Sequence, residues 1–132
     1  MVPLLGDIAW NQAEPYNRLT PLINGNHALT GCVATATAQI MYYHRWPERG
    51  TGSFSYDDSG SGKTLTADFS QHAYDWDAML PCYDINSPRA SGDAVALLMS
   101  DVGISLRMNY SLTFSGAMTS DVVPALRDHF GY

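Results

Sequence analysis

Cys32 is the residue of this chain whose position most favours covalent chemistry. It follows Gly31 and opens a segment of helical periodicity, so its thiol is predicted to lie in the first turn of a helix. The unpaired N–H groups and partial positive charge of a helix N-terminus stabilise a thiolate relative to a thiol. The thiolate is the nucleophile of cysteine hydrolases, and this position therefore suits such an enzyme. The same pattern is also typical of a small buried cysteine that packs a helix against its neighbours.

The helix that would carry this thiol is the best-defined element of the sequence. It is predicted to run from about Cys32 to Arg45, with an apolar stripe at Ala36, Ile40 and Tyr43. Trp46-Pro47 closes the segment, because the residue before a proline is pushed out of helical geometry.

The other predicted elements are shorter and are separated by loops. The alternation of residues 53–56 predicts a short exposed strand or hairpin. Residues 1–30 are predicted to be mainly loop with a turn at Asn24-Gly25-Asn26, and a second strand is predicted near 65–69. A helix is predicted from a Ser91 cap through Val102 with Gly103 as its stop, followed by an extended segment over 104–110. A loop over 111–119 then leads to a Ser120-capped helix that ends at Gly131.

Length, charge and cysteine usage exclude several classes of protein. A chain of 132 residues can bury one core, and no apolar stretch approaches the roughly 18 residues that span a membrane. The formal net charge of −6 argues against a nucleic-acid-binding surface. His and Cys lack the spacing of zinc sites, so we expect no metal and no cofactor. Two cysteines do not make a disulfide framework, and Cys82 is interpreted as a structural thiol.

Five segments resemble, in order, elements of the streptopain family of secreted bacterial cysteine proteases, which are related to papain in fold. Residues 32–47 are similar to the active-site segment of that family. The others are 10–17 (Trp-Asn-Gln-Ala-Glu-Pro-Tyr-Asn), 74–81 (Tyr-Asp-Trp-Asp-Ala-Met-Leu-Pro), 101–105 and 125–132. These segments cover nearly the whole chain, and the sequence is identified as a member of this family.

The resemblance implies an α+β, papain-like fold, of which residues 1–132 form the mainly helical, nucleophile-bearing N-terminal part of one catalytic domain. It implies hydrolysis of polypeptides through a thioester acyl-enzyme, with Cys32 as nucleophile. In the family pattern the Gln12 side chain and the Cys32 backbone N–H stabilise the oxyanion. Ser115-Gly116-Ala117 occupies the position that borders the substrate cleft, although an ordinary polar turn explains these residues equally well. Secretion from a bacterium is implied by the family alone.

The general base is missing from the predicted site. The family's histidine lies in a Gly-Gly-His-Ala-like element, and neither this nor the Trp-Gly-Trp-Gly-Gly element that follows it occurs in the chain. His44 lies 12 residues from Cys32 along the same helix, or about 18 Å, which is too far for proton transfer. His27 stays an alternative partner, whereas His72 and His129 are interpreted as surface residues. We therefore expect the histidine to come from another segment or chain.

Three origins of such a half-site stay open: one chain of a processed enzyme, a domain cut from a longer precursor, and a noncatalytic remnant. The competing function is a papain-like module that binds peptides or a propeptide-like inhibitor without turnover. If a second half is missing, the Cys32 helix is expected to expose apolar surface.

Large apolar residues divide into core and cleft candidates. Trp10, Trp46 and Trp76 are expected to anchor the core. The family takes peptides with an apolar residue one place before the scissile-bond residue, and the candidates to line that pocket are Phe114, Met118 and Met41.

Overall fold

Three helices and two antiparallel hairpins form the regular structure of the described chain. The computed structural model describes residues 5–132, so the first four residues of the predicted N-terminal loop lie outside it. The elements in chain order are β1 (Leu22–Ile23), β2 (Asn26–His27), α1 (Cys32–His44), β3 (Ser53–Asp58), β4 (Lys63–Asp68), α2 (Arg89–Ser105) and α3 (Val122–Phe130), with 3₁₀ turns at Phe69–Gln71 and Thr119–Asp121. Over residues 5–132, no helix combines the length and the hydrophobicity needed to cross a membrane.

Helix α1 forms where the sequence predicts it, but its buried face differs from the prediction. The predicted stripe of Ala36, Ile40 and Tyr43 is exposed, and the helix packs on α2 through small and polar residues. The buried residues are Ala34, Thr35, Thr37, Ala38 and Met41. Threonine can lie on the inner face because its hydroxyl bonds a carbonyl of the preceding turn, as Thr37 does to Val33 at 2.8 Å.

Both hairpins confirm the local turn and strand signals. The Asn24-Gly25 turn joins β1 to β2, and β3 pairs with β4 from Ser53 opposite Asp68 to Asp58 opposite Lys63. The buried carboxylate of Asp58 accepts backbone N–H bonds at 3.1–3.2 Å. Its three donors are Gly60, Ser61 and Tyr110. The tip of the second hairpin is thereby attached to the segment that follows α2.

Helix α2 begins before and ends after its predicted limits. It starts at Arg89 behind Pro88, without a side-chain cap, so Ser91 is not the cap. Gly103 lies inside the helix rather than at its end. The hydroxyl of Tyr110 lies where a Cβ on Gly103 would be. This glycine therefore allows the Tyr110 side chain to approach the helix backbone, and it does not end the helix. Of the predicted extended segment over 104–110, residues 104–105 belong to the helix and residues 106–107 form a turn, in which Arg107 has a positive φ of 54°.

The C-terminal helix ends as predicted, at Gly131 with a positive φ of 69°. It is preceded by the Thr119–Asp121 turn, and no side chain caps it, so the predicted Ser120 cap is wrong. Trp46 is also placed differently from the prediction. It is half exposed beside the chain end, and its indole N–H donates to the Gly131 carbonyl at 3.2 Å, whereas Trp10 and Trp76 are buried in the core as predicted.

A buried carboxylate on α2 organises the polar part of the interior. Asp101 accepts a 2.6 Å hydrogen bond from the Tyr74 hydroxyl, and its same oxygen lies 2.8 Å from Nδ1 of His72. His72 is therefore not the surface histidine that the sequence indicated. His129 is also more than a surface residue, because its ring packs against Phe69 at 4.7 Å between centroids. Burial raises the pKa of Asp101 above its ordinary value of 3.8.

This raised pKa predicts a pH-dependent contribution to stability. The folded chain binds the Asp101 proton more tightly than the unfolded chain, so its contribution is complete below pH 3.8 and is lost as pH rises through the folded-state pKa. Asp101→Asn removes this titration. The free energy of unfolding of wild type minus that of Asp101→Asn should therefore fall with rising pH, by about 1.4 kcal/mol for each unit of raised pKa.

Urea denaturation of both chains at a series of pH values measures this difference. The exposed Asp7 provides a matched control, since Asp7→Asn removes a carboxylate that is not buried. A pH-independent difference between wild type and Asp101→Asn would contradict the assignment.

Candidate active site

Gly31 fixes the start of the helix that carries the thiol. Its φ of 91° and ψ of 140° lie in a region that residues with a Cβ rarely adopt. An added Cβ would also lie 2.6 Å from Sδ of Met108 and 3.1 Å from the Ser115 carbonyl oxygen. Only glycine satisfies both conditions, and it places Cys32 as the first helical residue.

The thiol of Cys32 lies exposed at a helix end that can stabilise negative charge. No side chain caps α1, and its first turn contains no acidic residue. The N–H of Thr35 bonds the Gly31 carbonyl at 3.0 Å, whereas the N–H groups before it have no partner within the helix. These donors and the helix dipole favour a negatively charged ligand group beside the sulfur.

Gln12 and Cys32 line the same groove although twenty residues separate them in sequence. The groove is open and has a volume of about 550 Å³. Its lining residues are Trp10, Asn11, Gln12, Ala13, Leu29, Cys32, Thr35, Ala36 and Gln39. The backbone of Gln12 is held in place by a 3.1 Å bond from the Thr30 N–H to its carbonyl oxygen. Within residues 5–132 the side-chain amide of Gln12 has no protein partner, which leaves its N–H groups available to a ligand.

The predicted substrate loop lies against the start of α1. The Ser111 carbonyl accepts the Leu29 N–H at 3.0 Å, and Gly116 exchanges two backbone hydrogen bonds with Asn109 at 2.8 and 3.0 Å. Ser115 is buried, and its hydroxyl bonds the N–H and carbonyl of Ser111. The Ser115 hydroxyl is therefore not available to a ligand.

The apolar pocket candidates separate into exposed and buried residues. Phe114 and Met118 are exposed on the loop and just after it, at 74% and 68%. Met41 is fully buried in the core, which removes it as a pocket residue.

None of the four histidines, all of which lie in the described part of the chain, lines the groove. Nδ1 of His27 lies 2.7 Å from the Thr20 carbonyl oxygen. Nδ1 of His129 lies 3.0 Å from the Thr51 carbonyl oxygen. His44 is at the opposite end of α1 from the thiol, as the helix length predicts. Among the described residues, the groove that Cys32 lines therefore contains no histidine.

Cys82 is exposed, whereas the structural thiol that the sequence predicted would be expected to pack against its neighbours. It lies just after Pro81 in an irregular segment between β4 and α2, where no helix or strand covers it. Both cysteines are free. Over residues 5–132, no three His, Cys, Asp or Glu side chains cluster as a metal site would require.

Gln39 is a groove residue that the sequence reasoning overlooked. It follows Cys32 by seven residues, which is two helical turns, and so shares its face of α1. Its side-chain oxygen accepts the Trp10 N–H at 3.2 Å. The helical spacing alone would have placed it near the thiol.

Comparison with known proteins gives consistent matches in sequence. A model of the Peptidase C10 family matches residues 10–132. Streptopain of Streptococcus pyogenes is 41% identical over 141 aligned positions, which cover 95% of this chain and 35% of that protein. The thiol protease/hemagglutinin PrtT of Porphyromonas gingivalis is 35% identical, over 95% of this chain and 15% of that protein. The chain thus spans well under half the length of these relatives.

Solved structures match the fold closely. The active wild-type interpain A cysteine protease of Prevotella intermedia superposes with a TM-score of 0.89 at 40% identity, over 98% of this chain and 55% of that chain. A fragment of prointerpain A from the same organism gives a TM-score of 0.89 at 38% identity. The match covers 98% of this chain and 43% of that chain. The α+β, papain-like fold predicted from the sequence is confirmed. The chain belongs to the Peptidase C10 family of cysteine proteases.

Proposed function

We propose that this chain carries the nucleophile and oxyanion hole of a cysteine endopeptidase. The observation that carries the proposal is the exposed Cys32 thiol at an uncapped helix N-terminus, in one groove with Gln12. Cys32 attacks the carbonyl carbon of a peptide bond, and the developing oxyanion is stabilised by the Cys32 N–H and the Gln12 amide. The amine leaves with a proton, and water then hydrolyses the thioester to release the acid and restore the thiol.

A histidine from outside these residues moves the proton in this proposal. Nδ1 lies within hydrogen-bond distance of another protein group in His27, His72 and His129. His44 lies at the opposite end of α1 from the thiol. These positions support an external base. The partial coverage of every relative described above supports a further segment. Residues 1–132 would then be the N-terminal part of a single papain-like domain.

The exposed side of α1 is the surface against which we place that segment. Ala36, Ile40 and Tyr43 follow one another on this side, and Ile40 and Tyr43 are 44% and 50% exposed. An apolar stripe of this kind on a soluble domain marks a contact surface. The prointerpain A fragment supports a related proposal, that a propeptide-like inhibitor covers the groove before activation.

The Ser115-Gly116-Ala117 segment is proposed to hold the substrate backbone. Gly116 directs its N–H and carbonyl to Asn109. In an extended segment neighbouring residues direct these groups to the opposite edge, so the partly exposed Ala117 can face a peptide, whereas Ser115 is buried against Gly31 and supports the segment from behind. The substrates are polypeptides, and the family relation favours a bacterial enzyme that is secreted.

Loss of the thiol is predicted to abolish peptide hydrolysis. In the full-length gene product, Cys32→Ala should lower kcat by more than about 10⁴-fold, because no other group replaces the nucleophile. Cys82→Ala is the matched control and should retain near-wild-type kcat, since Cys82 is exposed and does not line the groove. Cleavage of a fluorogenic peptide measures both. Peptide binding without turnover by the wild type would favour the noncatalytic module instead.

Loss of the Gln12 amide is predicted to slow the chemical step with little effect on substrate binding. Gln12→Leu removes the side-chain donor while keeping a similar volume, and kcat should fall by about 10²–10³-fold with KM nearly unchanged. Gln71→Leu makes the same exchange at an exposed site outside the groove and serves as control. An unchanged kcat in Gln12→Leu would remove Gln12 from the oxyanion hole.

A further inference from the structure

Gln39 connects the helix that carries the nucleophile to the segment that carries the second oxyanion donor. Its side-chain oxygen accepts the backbone N–H of Trp10 at 3.2 Å, and its Nε2 donates to the Thr35 carbonyl at 3.3 Å. The second bond directs the side chain toward the N-terminal end of α1, where the thiol lies. A single amide thus fixes a position on α1 and a position two residues before Gln12.

Within residues 5–132, the hydrogen bond to Gln39 is the one that ties the backbone of the Trp10–Gln12 segment to α1, and the Trp10 ring also packs on Tyr42 of α1 at 4.9 Å between centroids. The Gln12 end of the segment is held by the Thr30 N–H at 3.1 Å, and the Trp10 indole N–H donates to the Leu80 carbonyl at 2.8 Å. The indole bond anchors the side chain to a different loop. The backbone of Trp10 is held to the catalytic helix by Gln39.

We propose that Gln39 is a positioning residue for the oxyanion hole. By holding the Trp10 backbone, it sets where the Gln12 amide lies relative to the Cys32 N–H. The inference rests on the proposed function, because it assigns Gln39 a role that acts through Gln12. Gln39 itself does not contact the reacting atoms in this role.

The kinetic test uses Gln39→Met in the full-length gene product, because methionine keeps the length of the side chain and removes both hydrogen bonds. Displacement of an oxyanion donor should lower kcat about 10- to 100-fold while KM changes less than about twofold. The exposed Gln71→Met is the matched control and should behave as wild type.

A double-mutant cycle separates positioning from direct action. If Gln39 works through Gln12, adding Gln39→Met to Gln12→Leu should cause little further loss of kcat. Independent, multiplying losses would overturn the proposal. A rise in KM with unchanged kcat would also overturn it, since that result indicates direct contact with substrate.

Hydrogen–deuterium exchange tests the contact without requiring turnover. In Gln39→Met the Trp10 amide should exchange at least about tenfold faster, while α1 keeps its protection. Unchanged exchange at Trp10 would overturn the inference even in an active enzyme. A wild type without peptidase activity would contradict the proposed function instead, and faster Trp10 exchange would then still establish that Gln39 holds this segment.

Discussion

The left-handed backbone of Gly31 is the constraint on which the arrangement of the groove depends. Residues just before it connect the Gln12 segment and the Ser111 loop to the start of α1. The Leu29 N–H bonds the Ser111 carbonyl, and the Thr30 N–H bonds the Gln12 carbonyl. Consecutive N–H groups of an extended chain point in opposite directions, so this short segment lies between the Gln12 segment and the Ser111 loop. Gly31 then turns the chain into the helix with Met108 packed against it.

The conformation of Gly31 also places a buried residue and the exposed thiol on opposite sides of the chain. Met108 is fully buried behind Gly31, while Cys32, the next residue, is exposed. The hydroxyls of Thr30 and Thr35 lie 2.8 Å apart in the interior, and Thr35 also bonds the Gly31 carbonyl at 2.9 Å. These bonds satisfy the polar groups beneath the helix start, so the N–H donors at its end can serve a ligand instead of the protein. The threonine hydroxyls beneath the start of α1 therefore stabilise the fold, whereas the exposed N–H groups at the start of α1 can bind a ligand.

Local signals predicted the elements of this fold better than they predicted its contacts. The small residues after Cys32 and the Trp46-Pro47 stop determine α1, and an Asn-Gly turn determines the first hairpin. Gly103 shows the limit of such signals. A glycine that ends a helix and one that admits a neighbour's side chain look alike in sequence, and only the position of the Tyr110 hydroxyl distinguishes them. Pairing of His72 with Asp101 likewise joins residues 29 positions apart that no local pattern connects.

The candidate site was predictable to the extent that it follows helical spacing or family resemblance. Cys32 at the helix start needs only the local sequence, whereas Gln12 needed the resemblance, since a loop glutamine has no distinguishing pattern. The orientation of the loop residues could not be predicted, because the inward turn of Ser115 depends on bonds within its own loop to Ser111. The exposure of Cys82 could not be predicted, because burial statistics for cysteine say nothing about a particular loop.

The amphipathicity of α1 connects the fold to the proposal of a histidine from outside these residues. The helix buries Ala34, Thr35, Thr37, Ala38 and Met41, and it has Ile40 and Tyr43 on its exposed side. Close packing on α2 accounts for the small residues inside, whereas Ile40 and Tyr43 remain 44% and 50% exposed within residues 5–132. A helix with apolar residues on both sides is typical of one packed between two layers. The histidines, none of which lines the groove, favour a missing second layer on separate, chemical grounds. The packing of α1 and the chemistry of Cys32 therefore both support a completing segment that covers the helix and brings the base.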